Sequence, residues 1–294
     1  MKVMLNNKEY KFLIGYQGDA KCRSAFNDLA VQVFNLSFED WYQTGYWKEK
    51  YIPYTLFDED KAVANLSVNI MNFCAFGKKQ RYIQVGTVMT DKNYRHKGLS
   101  RFLMEQAMNE WNGKCDFIYL YANSSAVGFY PKFGFDAVKE YEYFKSVNSN
   151  GRHSFEKLNM DVQANKDKLY NYARNSVPFG QLSMQENADL VMFYCASFLK
   201  ENVFFIPSLD VIAIAKFEEN KFHLLDVFGR SNLELDEVIF SLADDKISEV
   251  LLGFTPKESE SYKMREIVGD TLFVQKRKAL LFDNKLMFPV LSHA

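Results

Sequence analysis

An α/β fold built on a mixed sheet is what the sequence predicts, and three observations predict it. Strand-like runs separated by short polar turns follow one another closely between residues 51 and 90. Stretches with apolar residues at helical spacing flank them, over 20–38 and 99–111. The order hairpin, helix, strand occurs over 61–121 and again over 211–254, which points to an internal structural duplication without a residue-level repeat.

The elements follow in order. Residues 10–16 read as a first strand. Residues 20–38 carry Phe26, Leu29, Ala30, Val33 and Phe34 on one helical face. Ser37-Phe38-Glu39-Asp40-Trp41 opens a short aromatic helix. Strands are expected over 51–57, 61–76 and 84–90, with Asp58-Glu59-Asp60 and Gly77-Lys78-Lys79 as the turns. Residues 99–111 place Phe102, Leu103, Gln106, Ala107 and Trp111 at helical spacing. A strand over 117–121 and a helix over 125–132 follow. Residues 138–147 and 154–162 read as a hairpin across Asn148-Ser149-Asn150-Gly151, where Gly can take positive φ. A first domain is thus expected over 1–162, with Ala164-Asn165-Lys166-Asp167-Lys168 as a polar connector into a second domain over 163–294. There, 186–201 and 235–243 read as helices, 211–217 and 222–228 as a hairpin, and 249–254 and 271–274 as strands.

With 36 basic against 37 acidic side chains, the chain offers no electrostatic footprint for nucleic acid or an anionic membrane. Its cysteines, Cys22, Cys74, Cys115 and Cys195, have no metal-ligand or disulfide-framework spacing, so free thiols and no metal are expected. No run approaches the ~20 apolar residues of a membrane span. Residues 1–8 lack the apolar core of a signal peptide, so a cytoplasmic location is expected.

Chemistry concentrates between Val85 and Arg101. A strand runs through Val88, Met89 and Thr90 into a short loop, and the loop runs straight into a helix. The first amides of a helix lack intrahelical partners and sit at the positive end of its dipole, which makes an anion site. Gly98 lets backbone approach a phosphate, and Arg95, His96, Lys97 and Arg101 add donors and charge. A pyrophosphate cradle over His96, Lys97, Gly98, Leu99, Ser100 and Arg101 is the physical reading.

The spacing Arg95-x-x-Gly98-x-Ser100 resembles the R-x-x-G-x-G/A motif of the GNAT N-acetyltransferase superfamily, with Ser in place of the final small residue. Further on, Asn123-Ser124-Ser125-Ala126-Val127-Gly128-Phe129-Tyr130-Pro131-Lys132-Phe133-Gly134-Phe135 is similar to that family's later signature, N-x-x-A-x-x-F-Y-x-K-x-G-F. The resemblance covers about residues 1–162. It implies a GNAT fold that takes acetyl-CoA between the strand ending at Thr90 and the strand ending near Tyr121. It further implies pantetheine bonds from the backbone of Val88, Met89 and Thr90, and cofactor contacts from Asn123 and Ser124. Tyr130 matches the family's general acid, a phenol suited to protonate a departing thiolate. Glu39, Asp40 and Trp41 fall on the segment that lines the acceptor side in the family, where carboxylates among aromatics suit a cationic amine. In tandem members of the family a terminal carboxylate can reach the N-terminal active site, so Ala294 is a further catalytic candidate. An ordinary amphipathic helix and a merely packed last segment are the bland alternatives.

The second half lacks both motifs. Gly229-Arg230-Ser231-Asn232 stands where a cradle would be, without its spacing. A degenerate GNAT-like domain that shapes the acceptor cleft is expected. The functional expectation is acetyl transfer from acetyl-CoA to a small amine, a polyamine-like antibiotic, or a peptide or protein amine. The alternative is a non-catalytic acyl-CoA sensor or scaffold.

Overall fold

The computed structural model describes residues 1–148, 155–231, 233–275 and 281–294. They form two compact units: Met1–Ile70 with Arg81–Tyr121 and Ala294, and Met71–Gln80 with Ala122–His293. Residues 122–162 therefore belong with the later part of the chain. Helices and strands mix in both units, as the sequence pattern predicts.

The first unit opens with a hairpin that sequence patterning missed. Strands β1 (Lys2–Leu5) and β2 (Lys8–Ile14) join through Asn6 and Asn7, at φ 49° and 61°. Asparagine tolerates this left-handed region, and two such residues make a tight hairpin turn. Helix α1 (Ala20–Phe34) is capped by Asp19, whose carboxylate accepts the amides of Lys21 and Cys22 at 3.0 and 3.1 Å. It stops earlier than the apolar pattern predicts because Asn35 turns left-handed at φ 54°. Helix α2 (Glu39–Gln43) follows.

Strands β3 (Tyr51–Asp58), β4 (Lys61–Ala75), β5 (Lys78–Thr90) and β6 (Phe117–Ala122) continue the sheet in chain order beyond β1 and β2. Helix α3 (Leu99–Trp111) links β5 to β6, which run parallel. The core of the unit holds Phe26, Leu29, Tyr54, Leu56, Leu103, Met104 and Ile118, all almost fully buried.

In the second unit, β7 (Phe135–Val138) pairs antiparallel with β16 (Thr271–Gln275), and β10 (Leu182–Gln185) pairs with residues 72–75. A further sheet runs in the order β15 (Lys263–Glu266), β8 (Tyr141–Ser146), β14 (Glu249–Leu252), β13 (Lys221–Gly229), β12 (Val211–Glu218), β11 (Val203–Ile206), β9 (Glu156–Lys157). The hairpin expected between 138–147 and 154–162 is not formed: β8 lies between β14 and β15, and β9 pairs with β11. The expected turn residues 149–151 lie outside the described residues.

The polar connector expected at 164–168 instead belongs to α4 (Gln163–Arg174). Leu169, Tyr172 and Ala173 bury one stripe of it, and its first turns are solvated. Helix α5 (Ala188–Phe193) passes into a π-helical turn, Tyr194–Phe198. Helix α6 (Leu235–Leu242) links β13 to β14, again a parallel pair.

Residues 286–293 are stitched into this unit. The amide of Met287 donates to Thr255 Oγ1 at 2.9 Å, that of Phe288 to the Glu140 carboxylate at 2.8 Å, and that of Val290 to the Gly253 carbonyl at 2.9 Å. The Tyr194 hydroxyl donates to the His293 carbonyl. Phe288 is completely buried against Phe73 and Phe282.

Candidate active site

Strands β5 and β6 pair from Tyr82↔Phe117 to Val85↔Leu120. Thr87 sits at φ 48°, a region that β-branched residues rarely enter. Beyond it, Val88, Met89 and Thr90 extend past the last position paired with β6, which ends at Ala122. The opening inferred from sequence between the strand ending at Thr90 and the one ending near Tyr121 would fall where this pairing stops.

Beyond Thr90 the chain makes a 3-10 turn, Lys92–Tyr94, capped by Asp91, whose carboxylate accepts the Asn93 amide at 2.8 Å. Lys61 reaches the same carboxylate at 2.6 Å and holds its pKa below the usual range. Tyr94 is pinned by a hydrogen bond to Asp58, and the Lys97 ammonium lies 4.7 Å from its ring centre. His96 and Gly98 both take positive φ, 61° and 72°. Gly98 is the N-cap residue of α3 and gives no side-chain cap; the first turn of the helix holds no acid. A Cβ at Gly98 would meet nothing within 4 Å, so the space above its backbone is open. An open, basic, uncapped helix start fits a pyrophosphate. Arg95, His96 and Lys97 are exposed, Leu99 is buried in the core, and Arg95 Nε reaches the Thr90 carbonyl at 3.4 Å. Ser100 does not cap the helix; its hydroxyl bonds the Thr90 hydroxyl at 2.8 Å and ties the strand end to the helix start.

A buried polar row in β4 escaped the sequence reading. Asn65, Ser67 and Asn69 are spaced by two among apolar neighbours on β4 and are at most 4% exposed. Their alternation with Leu66 and Val68 was the available signal, because a strand buried on both faces has no ordinary reason to carry amides on one. At its far end, Ala294 lies against β5. A Cβ built on Gly86 would come within 2.1 Å of the Ala294 carbonyl oxygen and 3.3 Å of Asn69 Nδ2. Only glycine permits that approach.

The other predicted residues divide. Glu39 is fully engaged: its carboxylate takes Arg23 Nε at 2.9 Å and Nη2 at 3.2 Å, Asn27 Nδ2 at 3.0 Å and Gln43 Nε2 at 2.6 Å. The Arg23 guanidinium holds its pKa low and stacks 3.7 Å from the Tyr42 ring centre. This carboxylate ties α1 to α2. Asp40 is exposed, and Trp41 packs with Phe38, Trp47 and Tyr51.

In the second unit, Asn123 and Ser124 are exposed. The Asn123 side chain folds back to accept the Ser125 amide at 3.1 Å. The helix expected over 125–132 is a run of turns ending in a 3-10 helix, Tyr130–Phe133, because Gly128 and Pro131 break it. Tyr130 is buried beside Phe129 and Phe273, and burial pushes its pKa up to about 12. All four cysteines are free. Among the described residues no cluster of three or more His, Cys, Asp or Glu could hold a metal, and no helix is long and apolar enough to cross a membrane.

No curated protein sequence matches the chain. The sequence model of the Acetyltransferase (GNAT) domain family matches residues 20–138. Three solved structures share the fold over almost the whole chain. Eis1 from Mycobacterium abscessus aligns with TM-score 0.56 and 12% identity, covering 92% of this chain and 75% of that one. A conserved protein from Enterococcus faecalis V583, described as a probable N-acyltransferase, aligns with TM-score 0.57 and 10% identity over 92% and 74%. A GCN5-related N-acetyltransferase from Anabaena variabilis aligns with TM-score 0.56 and 12% identity over 90% and 72%. Residues 20–138 thus match the acetyltransferase (GNAT) domain, and the chain shares the fold of these structures.

Proposed function

We propose that the protein moves an acetyl group from acetyl-CoA directly to an amine acceptor: a small amine, a polyamine-like antibiotic, or a peptide or protein amine. The observation that carries this reading is the open start of α3, without a side-chain cap or a first-turn acid, beyond the left-handed Gly98. Amides from His96 to Arg101 would hold the pyrophosphate, with Arg95, Lys97 and Arg101 adding charge. Backbone groups of Val88, Met89 and Thr90 would bond the pantetheine arm, with Asn123 and Ser124 near its end. Acetyl-CoA, when bound, supplies an activated thioester carbonyl.

Tyr130 would protonate the departing thiolate. A pKa of about 12 keeps the phenol protonated at every physiological pH, at the expense of acid strength relative to an ordinary tyrosine near 10. Ala294, held over Gly86, would serve as the further catalytic residue on the acceptor side. With Glu39 engaged by Arg23, Asp40 beside Trp41 is the carboxylate left to meet the acceptor. Residues 163–294 would act as a degenerate GNAT-like domain that shapes the acceptor cleft. A reducing compartment such as the cytoplasm suits the four free thiols.

The test is thiol release from acetyl-CoA across an amine library. Amine-dependent release is expected; thermal protection by CoA with no release on any amine would overturn the acetyl-to-amine assignment. A Gly86→Ala variant should displace Ala294 and lower turnover at unchanged CoA affinity. Full turnover in that variant would remove Ala294 from the mechanism.

A further inference from the structure

The left-handed Thr87 needs something to hold it, and the first unit contains a closed ring of buried side chains around it. The Asn65 amide is used completely. Its Oδ1 accepts the Thr55 hydroxyl at 2.6 Å, and its Nδ2 donates to Ser67 Oγ and to the Thr87 carbonyl, each at 3.0 Å. Ser67 in turn bonds the Tyr51 hydroxyl, and Tyr51 bonds Thr87 Oγ1 at 2.7 Å. Directions follow from donor supply. The single Thr55 proton goes to Asn65, so the Tyr16 hydroxyl, 2.5 Å away, donates to Thr55. The Tyr51 hydroxyl sits between the Ser67 and Thr87 hydroxyls, and within each pair either oxygen can donate. Asn65, Ser67 and Thr55 are wholly buried and Tyr51 is 3% exposed, so water does not compete for these bonds.

Thr87 is thus gripped at its carbonyl by Asn65 and at its hydroxyl by Tyr51. Both grips bear on a residue two positions past the last pair of β5 and β6. Released, a threonine would relax to negative φ, and the strand would straighten toward β6. We propose that Asn65 and Tyr51 are positioning residues that hold Thr87 left-handed, and thereby keep the β5 backbone aimed at the pantetheine arm. The inference rests on the cofactor site proposed above. It assigns affinity for CoA to side chains that need not touch it.

Glycine at 87 would adopt positive φ without help, so it should make the clamp redundant. The experiment is calorimetric CoA binding and KM for acetyl-CoA, well below the melting temperature, in four proteins: wild type, Asn65→Ala, Thr87→Gly and the double variant. Asn65→Ala should weaken CoA roughly tenfold, the scale of one buried hydrogen bond to a constrained group. In the Thr87→Gly background the same substitution should change CoA affinity less than about twofold. Melting temperature should fall in both backgrounds, so loss of structure alone would not produce this pattern.

Unchanged CoA affinity in a folded Asn65→Ala protein overturns the clamp. So does a tenfold loss that persists on Thr87→Gly, since Asn65 would then act by another route. Should Asn65→Ala not fold, Tyr51→Phe, which keeps the ring, is read in the same two backgrounds by the same criteria. Gly98→Glu separates the premise from the inference. If it leaves CoA binding intact, the cofactor site is misplaced; if it abolishes binding while the cycle shows no coupling, only the clamp fails.

Discussion

The units β5–α3–β6 and β13–α6–β14 share a topology and treat their helix starts in opposite ways. In each, two parallel strands pair over four positions and the first strand then runs on past its partner: Tyr82–Val85 with Phe117–Leu120, and Lys221–Leu224 with Glu249–Leu252. At the first, α3 begins beyond a left-handed glycine, uncapped, with no acid in its first turn. At the second, α6 closes its own start with a capping box between Glu234 and Glu237, and its first turn carries Asp236 and Glu237. Those carboxylates satisfy the amides an anion would need and repel the anion itself. Gly229 is no substitute for Gly98, since a Cβ there would lie 2.6 Å from Val211 Cγ1 and the space is filled. The space beyond the last pair of β13 and β14 is filled too: Val290 donates to Gly253, and its Cγ2 lies 2.8 Å from where a Gly253 Cβ would stand. The topology is shared; what differs is the helix start, which carries neither a side-chain cap nor a first-turn acid at α3 and both acids and a capping box at α6.

The largest effect should come from putting an acid at the open start. Gly98→Glu adds a charge to the cradle and a Cβ at φ 72°, and should weaken CoA by at least about a hundredfold in a folded protein. Calorimetry on the wild type should give one site per chain, and two equivalent sites would break the contrast. Next is Tyr130, which has no counterpart after β14, where Gly253-Phe254-Thr255-Pro256 follows. Tyr130→Phe should lower kcat about a hundredfold with CoA affinity kept. With a pKa near 12, Tyr130 itself should give the pH–rate profile no alkaline limb below about pH 11. Wild-type turnover in the Phe variant, where chemistry limits the rate, would transfer the proton to another donor.

A smaller effect is expected at α6. Glu237→Ala breaks the capping box and should cost about 1 kcal/mol, or roughly 2–4 °C in melting temperature, without creating a second CoA site. The smallest concerns Asp226 on β13, which burial pushes up to about 7. Its folded pKa lies above its unfolded value near 3.8, so its contribution is complete below pH 3.8 and is lost as pH rises through 7. Asp226→Asn should therefore raise the melting temperature at pH 8 relative to wild type and lose that advantage by pH 4. A variant whose difference from wild type is constant with pH would show that this carboxyl does not titrate so high.

The strand, the left-handed glycine and the helix start that follows were legible in the sequence because their requirements are local. Residues 99–111 were legible for the same reason, since the α3 apolar stripe coincides with the helix itself. The pairing of β8 was not, because its partners lie more than a hundred residues away and the nearby Asn-Gly turn chemistry offered a cheaper local answer. Helix α4 was missed because its buried stripe begins only at Leu169, behind a solvated first turn. Glu39 carries the residue type that suits a cationic substrate, yet the Arg23 that claims it lies a helix away, where no spacing rule connects them. The Thr87 clamp could not be read at all: a left-handed threonine has no sequence signature, and its ring closes through β3 and β4.

The stitching of residues 286–293 has a kinetic side. The bond between Phe288 and Glu140 spans 148 residues, and that between Tyr143 and the Lys285 carbonyl spans 142. The second unit therefore cannot complete its core from early segments alone. During synthesis β8 and its neighbours must wait for the chain beyond residue 248, with apolar strand faces meanwhile uncovered. Refolding should be slow for the second unit and faster for the first, whose strands pair mostly with their neighbours in sequence. Chaperone dependence and aggregation on dilution from denaturant should then trace to residues 135–293 rather than to the first unit.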